Sequence, residues 1–213
     1  MRRFLSDNSH GGIRCGLFLG LATLSVGLIA SAEPLEVGNA NLNLVAEAWP
    51  EADAMFHRDP RWLGGDDAYS IDLGKGRVVW FFGDSFGEPT VAGQREGTEM
   101  VRNSVGLQTG YDPTTAEFKG YWREEGGKPS SFIPADGENF YWPGGGVIID
   151  GKLLQLSMRV RDAKGDLNFA TTGWGAVLLE NLEQEPSQWK VQKLVVPQNK
   201  FGVLVGSAAV VQD

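Results

Sequence analysis

The stretch RWLGGDDAYSIDLGKGRVVWFFGDSF, residues 61–86, decides how this chain folds. Residues 68–73 read as one strand, Gly74-Lys75-Gly76 as a turn, and 77–84 as a second, strongly apolar strand that ends at Asp84. Two β-rich runs joined by a short Gly-containing turn make a hairpin. With Lys75 at its centre, position 66 faces position 84, so Asp66 and Asp84 close the same end of the hairpin. Directly opposed residues hold their Cβ atoms about 4.5–5.5 Å apart. A slip of one residue would substitute Asp67 for Asp66 and still leave a carboxylate pair.

The pattern recurs further along. Strands are expected at 103–109 and 117–123, and a second set follows at 146–150, 152–160, 174–181 and 188–194, with a turn near Gly151. Trp122 and Trp189 hold similar places in the two sets and read as packing residues. Residues 203–213 look like the first strand of a third set. Four antiparallel strands per unit at this spacing indicate an all-β chain built of β-propeller blades; a β-sandwich with similar halves is the alternative. Helical periodicity is weak, and its best candidate, 45–56, is interrupted by Pro50. The expected organisation is a signal peptide at 1–32, a lead-in segment at 33–60, blade one at 61–128, blade two at 129–198 and the start of blade three at 199–213.

The signal reading rests on Arg2, Arg3 and Arg14, an apolar core at 16–30, and Ala30-Ser31-Ala32 before Glu33, where cleavage is expected. That apolar run falls short of the roughly 20 residues a membrane span needs. Export to the periplasm or the exterior follows. The whole chain has a formal net charge of -8. Removing the signal, with its three Arg and one Asp, leaves a more acidic mature chain, which argues against nucleic-acid or anionic-membrane partners. Cys15 and His10 leave with it, so His57 remains as the single histidine and there is no thiolate. A His-rich zinc centre is thereby excluded, and chemistry falls to carboxylates, Arg, amides and aromatic rings. No cofactor or metal ligand set is assigned, and a structural Ca²⁺ is left open.

In the second hairpin, a turn centred between Asp150 and Gly151 sets Trp142 opposite Arg159. The same end of the next blade would then offer a ring face and a guanidinium. Two carboxylates, an Arg and an aromatic platform suit a sugar site, because carboxylate pairs supply the acid and the base or nucleophile of glycoside hydrolysis. Opposed positions favour the short separation of retaining enzymes.

These residues resemble a known family. Arg61-Trp62-Leu63-Gly64-Gly65-Asp66-Asp67-Ala68-Tyr69-Ser70, then Trp80-Phe81-Phe82-Gly83-Asp84-Ser85-Phe86, then Arg102-Asn103-Ser104 look like the opening of a secreted five-bladed propeller family. That family was long described only as a domain of unknown function and has endo-D-arabinanase relatives. Ser85 stands where Thr is commoner. The resemblance implies active-site roles for Asp66 and Asp84, with Asn103 nearby. Five blades need on the order of 300–375 residues, so the chain is expected to be the N-terminal part, about two blades and one strand.

The resulting expectation is a glycoside hydrolase-like propeller acting on a carbohydrate polymer, arabinan-like among the candidates. Asp66 and Asp84 would be catalytic, and Asp67, Asn103, Trp142 and Arg159 would contact substrate. The alternatives are a glycan-binding or scaffold propeller without catalysis, and an inactive truncated fragment.

Overall fold

A computed structural model describes residues 45–88, 94–197, 201, 203 and 205–211. The expected signal segment and its cleavage point lie outside these residues. The chain divides into Met1–Ala46 and Glu47–Asp213. The described residues of the first unit, 45 and 46, are exposed coil; all regular elements belong to the second. A short helix (α1, Pro50–Asp53) runs into a 3₁₀ turn (Ala54–His57). Pro50 opens this helix instead of interrupting it, since a first-turn proline forfeits no hydrogen bond.

The rest is β. A first sheet orders β1 (Trp62–Gly74), β2 (Arg77–Gly87), β4 (Ser104–Thr109) and β5 (Glu117–Tyr121) side by side, with β3 (Glu99–Val101) extending along β2. A second orders β8 (Asn139–Ile149), β9 (Lys152–Asp162), β10 (Phe169–Glu180) and β11 (Lys190–Leu194). Both are antiparallel and wind in sequence order, which is the blade-type meander expected. The exposed, charged residues 123–128 fall in a small hairpin, β6 (Arg123–Glu125) with β7 (Lys128–Ser130).

Two-residue turns explain the tight hairpins. Lys75 and Gly76 have φ of 56° and 77°, and Asp150 and Gly151 have 50° and 73°. Positive φ at both central positions is the turn form whose twist matches that of the flanking strands.

The strand expected at 203–213 is not present: Val203 and residues 205–211 carry no strand. Gly206, at φ 116°, breaks the extended line. Its carbonyl accepts from Gly145 N–H at 2.6 Å, so this segment lies across β8.

β2 reads as a continuous apolar run because both of its faces are covered. Val79 and Phe81 join Val105, Leu107 and Tyr121 in a core shared with Phe132, Tyr141, Leu153, Leu179 and Trp189 of the second half. On the other face, Phe82 packs with Met55, Trp62 and Phe118 under the lead-in segment. Phe56 meets Trp80 edge-on at 5.1 Å between ring centroids, and Trp62 meets Phe82 at 4.6 Å.

Polar ties complete the joint. The Arg77 guanidinium donates to the carbonyls of Leu182 and Gln184, and the Tyr121 hydroxyl donates to Glu185. Asp59, 6% exposed, accepts from the Arg61 guanidinium at 2.8 Å and from the Gly120 N–H at 3.0 Å, fastening the lead-in to β5.

Burial pushes the Asp59 carboxyl up, but the hydrogen bonds from Arg61 and Gly120 outweigh it and hold it below its ordinary 3.8. A depressed carboxyl contributes stability above its unfolded value and loses it as pH falls through the folded one. Asp59→Asn is therefore expected to lower the melting temperature at pH 7, a loss of about 1–3 kcal/mol. The gap to the parent chain should close below pH 3.8. Phe81→Ala should cost more, about 3–5 kcal/mol at any pH. Thermal melts across pH check both.

Candidate active site

β1 and β2 keep the register centred on Lys75 at both ends of the critical stretch, with Tyr69 opposite Phe81 and Gly65 opposite Ser85. Between these pairs the ladder is irregular. Asp67 pairs with Phe82, leaving Gly83 and Asp84 bulged on one strand and Ala68 on the other. Asp67 and Ala68 take φ of 73° and 94°, values that a non-glycine residue adopts at a cost of about 1–3 kcal/mol and that cluster at functional sites. The bulge carries Asp67 over Gly83: a Cβ on Gly83 would stand 2.8 Å from Asp67 Oδ2 and 3.5 Å from Trp142 Cδ1. Only glycine leaves room for that approach.

Asp84 is reached from both sheets. Its Oδ1 accepts from the Trp142 indole N–H at 2.9 Å, and its Oδ2 accepts from Arg102 at 3.3 Å. Arg102, between β3 and β4, also binds Asp162 Oδ1 at 2.8 Å, and its guanidinium carbon lies 4.3 Å from the Phe140 ring centroid. Trp142 is wedged edge-on between Phe140 and Phe169, with centroids 5.8 and 4.7 Å away. Asp67, Tyr69, Trp142, Pro143, Met158 and Ser207 are among the residues lining a cavity of about 230 Å³.

Buried hydroxyls hold the backbone under the pair. Trp62 Nε1 donates to Ser104 Oγ at 3.1 Å, Ser104 to Ser85 Oγ at 2.8 Å, and Ser85 to the Gly83 carbonyl at 2.7 Å. A Cβ on Gly65 would lie 2.6 Å from Ser85 Oγ, so the second glycine of the Gly-Gly-Asp stretch makes room for this relay.

Electrostatics single out Asp67. Burial of its carboxyl raises its pKa above 3.8, and the charges of Asp66 and Asp84 add to the rise. Asp67 as a whole residue is exposed, but its Oδ2 end is the part packed against Gly83.

The residues expected at the site divide accordingly. Asp67, Asp84 and Trp142 come together. Asp66, exposed at the bulge, flanks them and acts on Asp67 by its charge. Asn103 is 1% exposed: its amide donates to the carbonyls of Tyr141 and Ile133 and accepts from the Ile133 N–H, so it fastens backbone and does not face the cavity. Arg159 does not oppose Trp142. The strands shift by one residue between Pro143 and Gly146, which pairs Trp142 with Met158 and Arg159 with Tyr141. Side chains alternate along a strand, so this places Arg159 on the opposite face of the sheet from Trp142. Its Nε is buried without a hydrogen-bond partner among the described residues. The guanidinium of the site is Arg102, signalled by the Arg-Asn-Ser stretch in which Asn103 alone was singled out. Asp162 carried no signal in the sequence.

Two sequential meanders around a carboxylate pair define an all-β protein with a candidate hydrolytic site. The chain matches the family described as Domain of unknown function (DUF5005) over residues 51–212 and belongs to it. No curated protein matches it. Among solved structures it is similar to a crystal structure of a candidate hydrolase from Bacteroides ovatus, at 19% identity and a TM-score of 0.53. The likeness covers 74% of this chain but 46% of that one, so this chain spans less than half the length of that relative.

A carboxyl raised in the folded state makes stability fall as pH rises from its unfolded to its folded value, because the native state holds the proton more tightly. Asp67→Asn is expected to flatten the stability profile just above pH 3.8 and to leave the neutral-pH melting temperature equal or higher. Denaturant melts between pH 3 and 8 test this; a clear destabilisation at neutral pH would show that the Asp67 charge supports the fold.

Proposed function

We propose that this chain carries the carboxylate site of an exported glycoside hydrolase-like β-propeller that acts on a carbohydrate polymer, with arabinan-like furanosides the first class to try. The observation that carries the reading is the convergence of Asp67 and Asp84 on Trp142, where Asp67 and Trp142 line one cavity and Asp84 holds the Trp142 indole N–H. Paired carboxylates are the working groups of most glycoside hydrolysis. An indole with its N–H engaged by Asp84 keeps its ring for the C–H face of a sugar. Kinship with the candidate hydrolase supports the fold on which such a site is built.

The local charge narrows the substrate. Asp84 and Asp162 share the Arg102 guanidinium, and Asp66 and Asp67 add two more carboxylates next to Asp84. An anionic sugar would meet net repulsion there, so the proposal is for a neutral glycan. The expected export of the chain would bring it to polymers outside the cytoplasm.

The test is a panel of neutral polysaccharides, arabinans included, beside a uronate polymer, with products read by chromatography. Hydrolysis of a neutral member, reduced at least about 10²-fold in Asp84→Asn and weakened in binding by Trp142→Ala, would bear the reading out. Binding without turnover would leave a glycan-binding module. Unchanged turnover in Asp84→Asn would overturn the proposed role of the pair.

A further inference from the structure

The two carboxylates of the pair stand in opposite surroundings, and this separates their roles. Each oxygen of Asp84 receives a group that can only donate. The indole N–H of Trp142 points at one oxygen and the guanidinium of Arg102 at the other, at 2.9 and 3.3 Å. A guanidinium stays protonated in proteins and an indole N–H accepts nothing. Both contacts set a donor, one of them a full positive charge, against the Asp84 carboxylate. Asp67 is placed the other way. Its Oδ2 sits over Gly83, and the charges nearest to it are like charges, Asp66 from β1 and Asp84 from β2. Arg102 binds Asp84, and its charge is further shared with Asp162 at the end of β9.

We propose that Asp67 is the proton-carrying member of the pair and Asp84 its fixed anion, with Arg102 and Trp142 as the positioning residues that impose this division. The assignment rests on the carbohydrate reading above. Asp67 gives its proton to the glycosidic oxygen, which keeps the electron pair of the breaking C–O bond. Asp84 faces the positive charge that develops on the sugar ring. A water molecule then bonds to the anomeric carbon through its oxygen and returns a proton to Asp67, so the net change is the addition of one water. Asp66, although in the doublet, is left outside the reaction as a source of charge.

Two measurements test this, one of them independent of turnover. In a carboxyl-carbon NMR titration of the intact chain, the Asp67 signal should titrate above 3.8. It should move down in Asp84→Asn, which removes a neighbouring negative charge, and up in Arg102→Met, which uncovers one. An Asp67 signal at the ordinary position, or one that ignores both variants, overturns the proposal even where the glycan reading holds. The second measurement compares leaving groups. Asp67→Asn should lose about 10²–10⁴-fold on the natural glycan and far less on an aryl glycoside whose phenol leaves without protonation, whereas Asp84→Asn should lose on both. Equal losses of Asp67→Asn on the two substrates would overturn the acid role. A normal titration pattern with no turnover of either substrate would sink the carbohydrate reading, and the proton delivery with it.

Discussion

Phe81 and Val105 of the first sheet, and Leu153 and Leu179 of the second, are fully buried against one another, and the site depends on that contact. Asp84 belongs to one sheet and Trp142 to the other. Their 2.9 Å hydrogen bond exists because the core fixes the distance between the sheets. Four large side chains at about 1.5–3 kcal/mol each outweigh a single charge-assisted hydrogen bond at about 1.5–3 kcal/mol. The core therefore sets the spacing, and the bond makes use of it. Asn103 reinforces the same joint from the polar side. Its amide binds the backbone of Ile133 and Tyr141, the latter one residue before Trp142.

The short stretches that drew attention in the sequence thus perform two different tasks. Trp62, Ser85, Ser104 and Asn103 face inward and fix backbone, while Asp67 and Trp142 line the cavity and Asp84, bound to Arg102, holds the Trp142 indole N–H. In Gly83-Asp84-Ser85 the tasks divide over three successive residues at the bulge. Gly83 admits a neighbouring carboxylate, Asp84 presents its own, and Ser85 turns back to bind the Gly83 carbonyl. A serine at this position needs only its Oγ for that bond, which is why standing in for the commoner threonine leaves the relay intact.

What could be read in advance follows from which forces are local. Turn chemistry is local, so the hairpins centred on Lys75 and near Gly151 were legible, and with them the eight strands of two meanders and the carboxylate doublet facing Asp84. Bulges are set by packing against the other sheet, and no nearby residue type announced them. Hence Trp142 was paired with Arg159, when an extra residue at Pro143–Gly146 pairs it with Met158. The Arg102–Asp162 bridge joins positions 60 residues apart and lay beyond any local pattern. The strand expected at 203–213 follows from its place after the second set, but an apolar run is extended only where a ladder receives it. There the described backbone makes one bond to Gly145 and turns at Gly206.

The irregular pairing of β1 with β2 shows why strain is tolerated at this point. A lasting one-residue slip would reverse every side chain beyond it, taking Tyr69 and Ile71 off the inter-sheet core or Trp62 out of its cluster with Phe82. One bulge on each strand cancels the slip within a few residues. The packing of Tyr69, Ile71 and Trp62 is kept, and this pair of opposed bulges involves Asp66, Asp67, Ala68, Gly83 and Asp84. Two residues in the left-handed region cost about 1–3 kcal/mol each, less than the loss of either aromatic cluster. The strand can therefore hold a bent carboxylate over Gly83 because the flanking cores on both sides make any straighter register costlier.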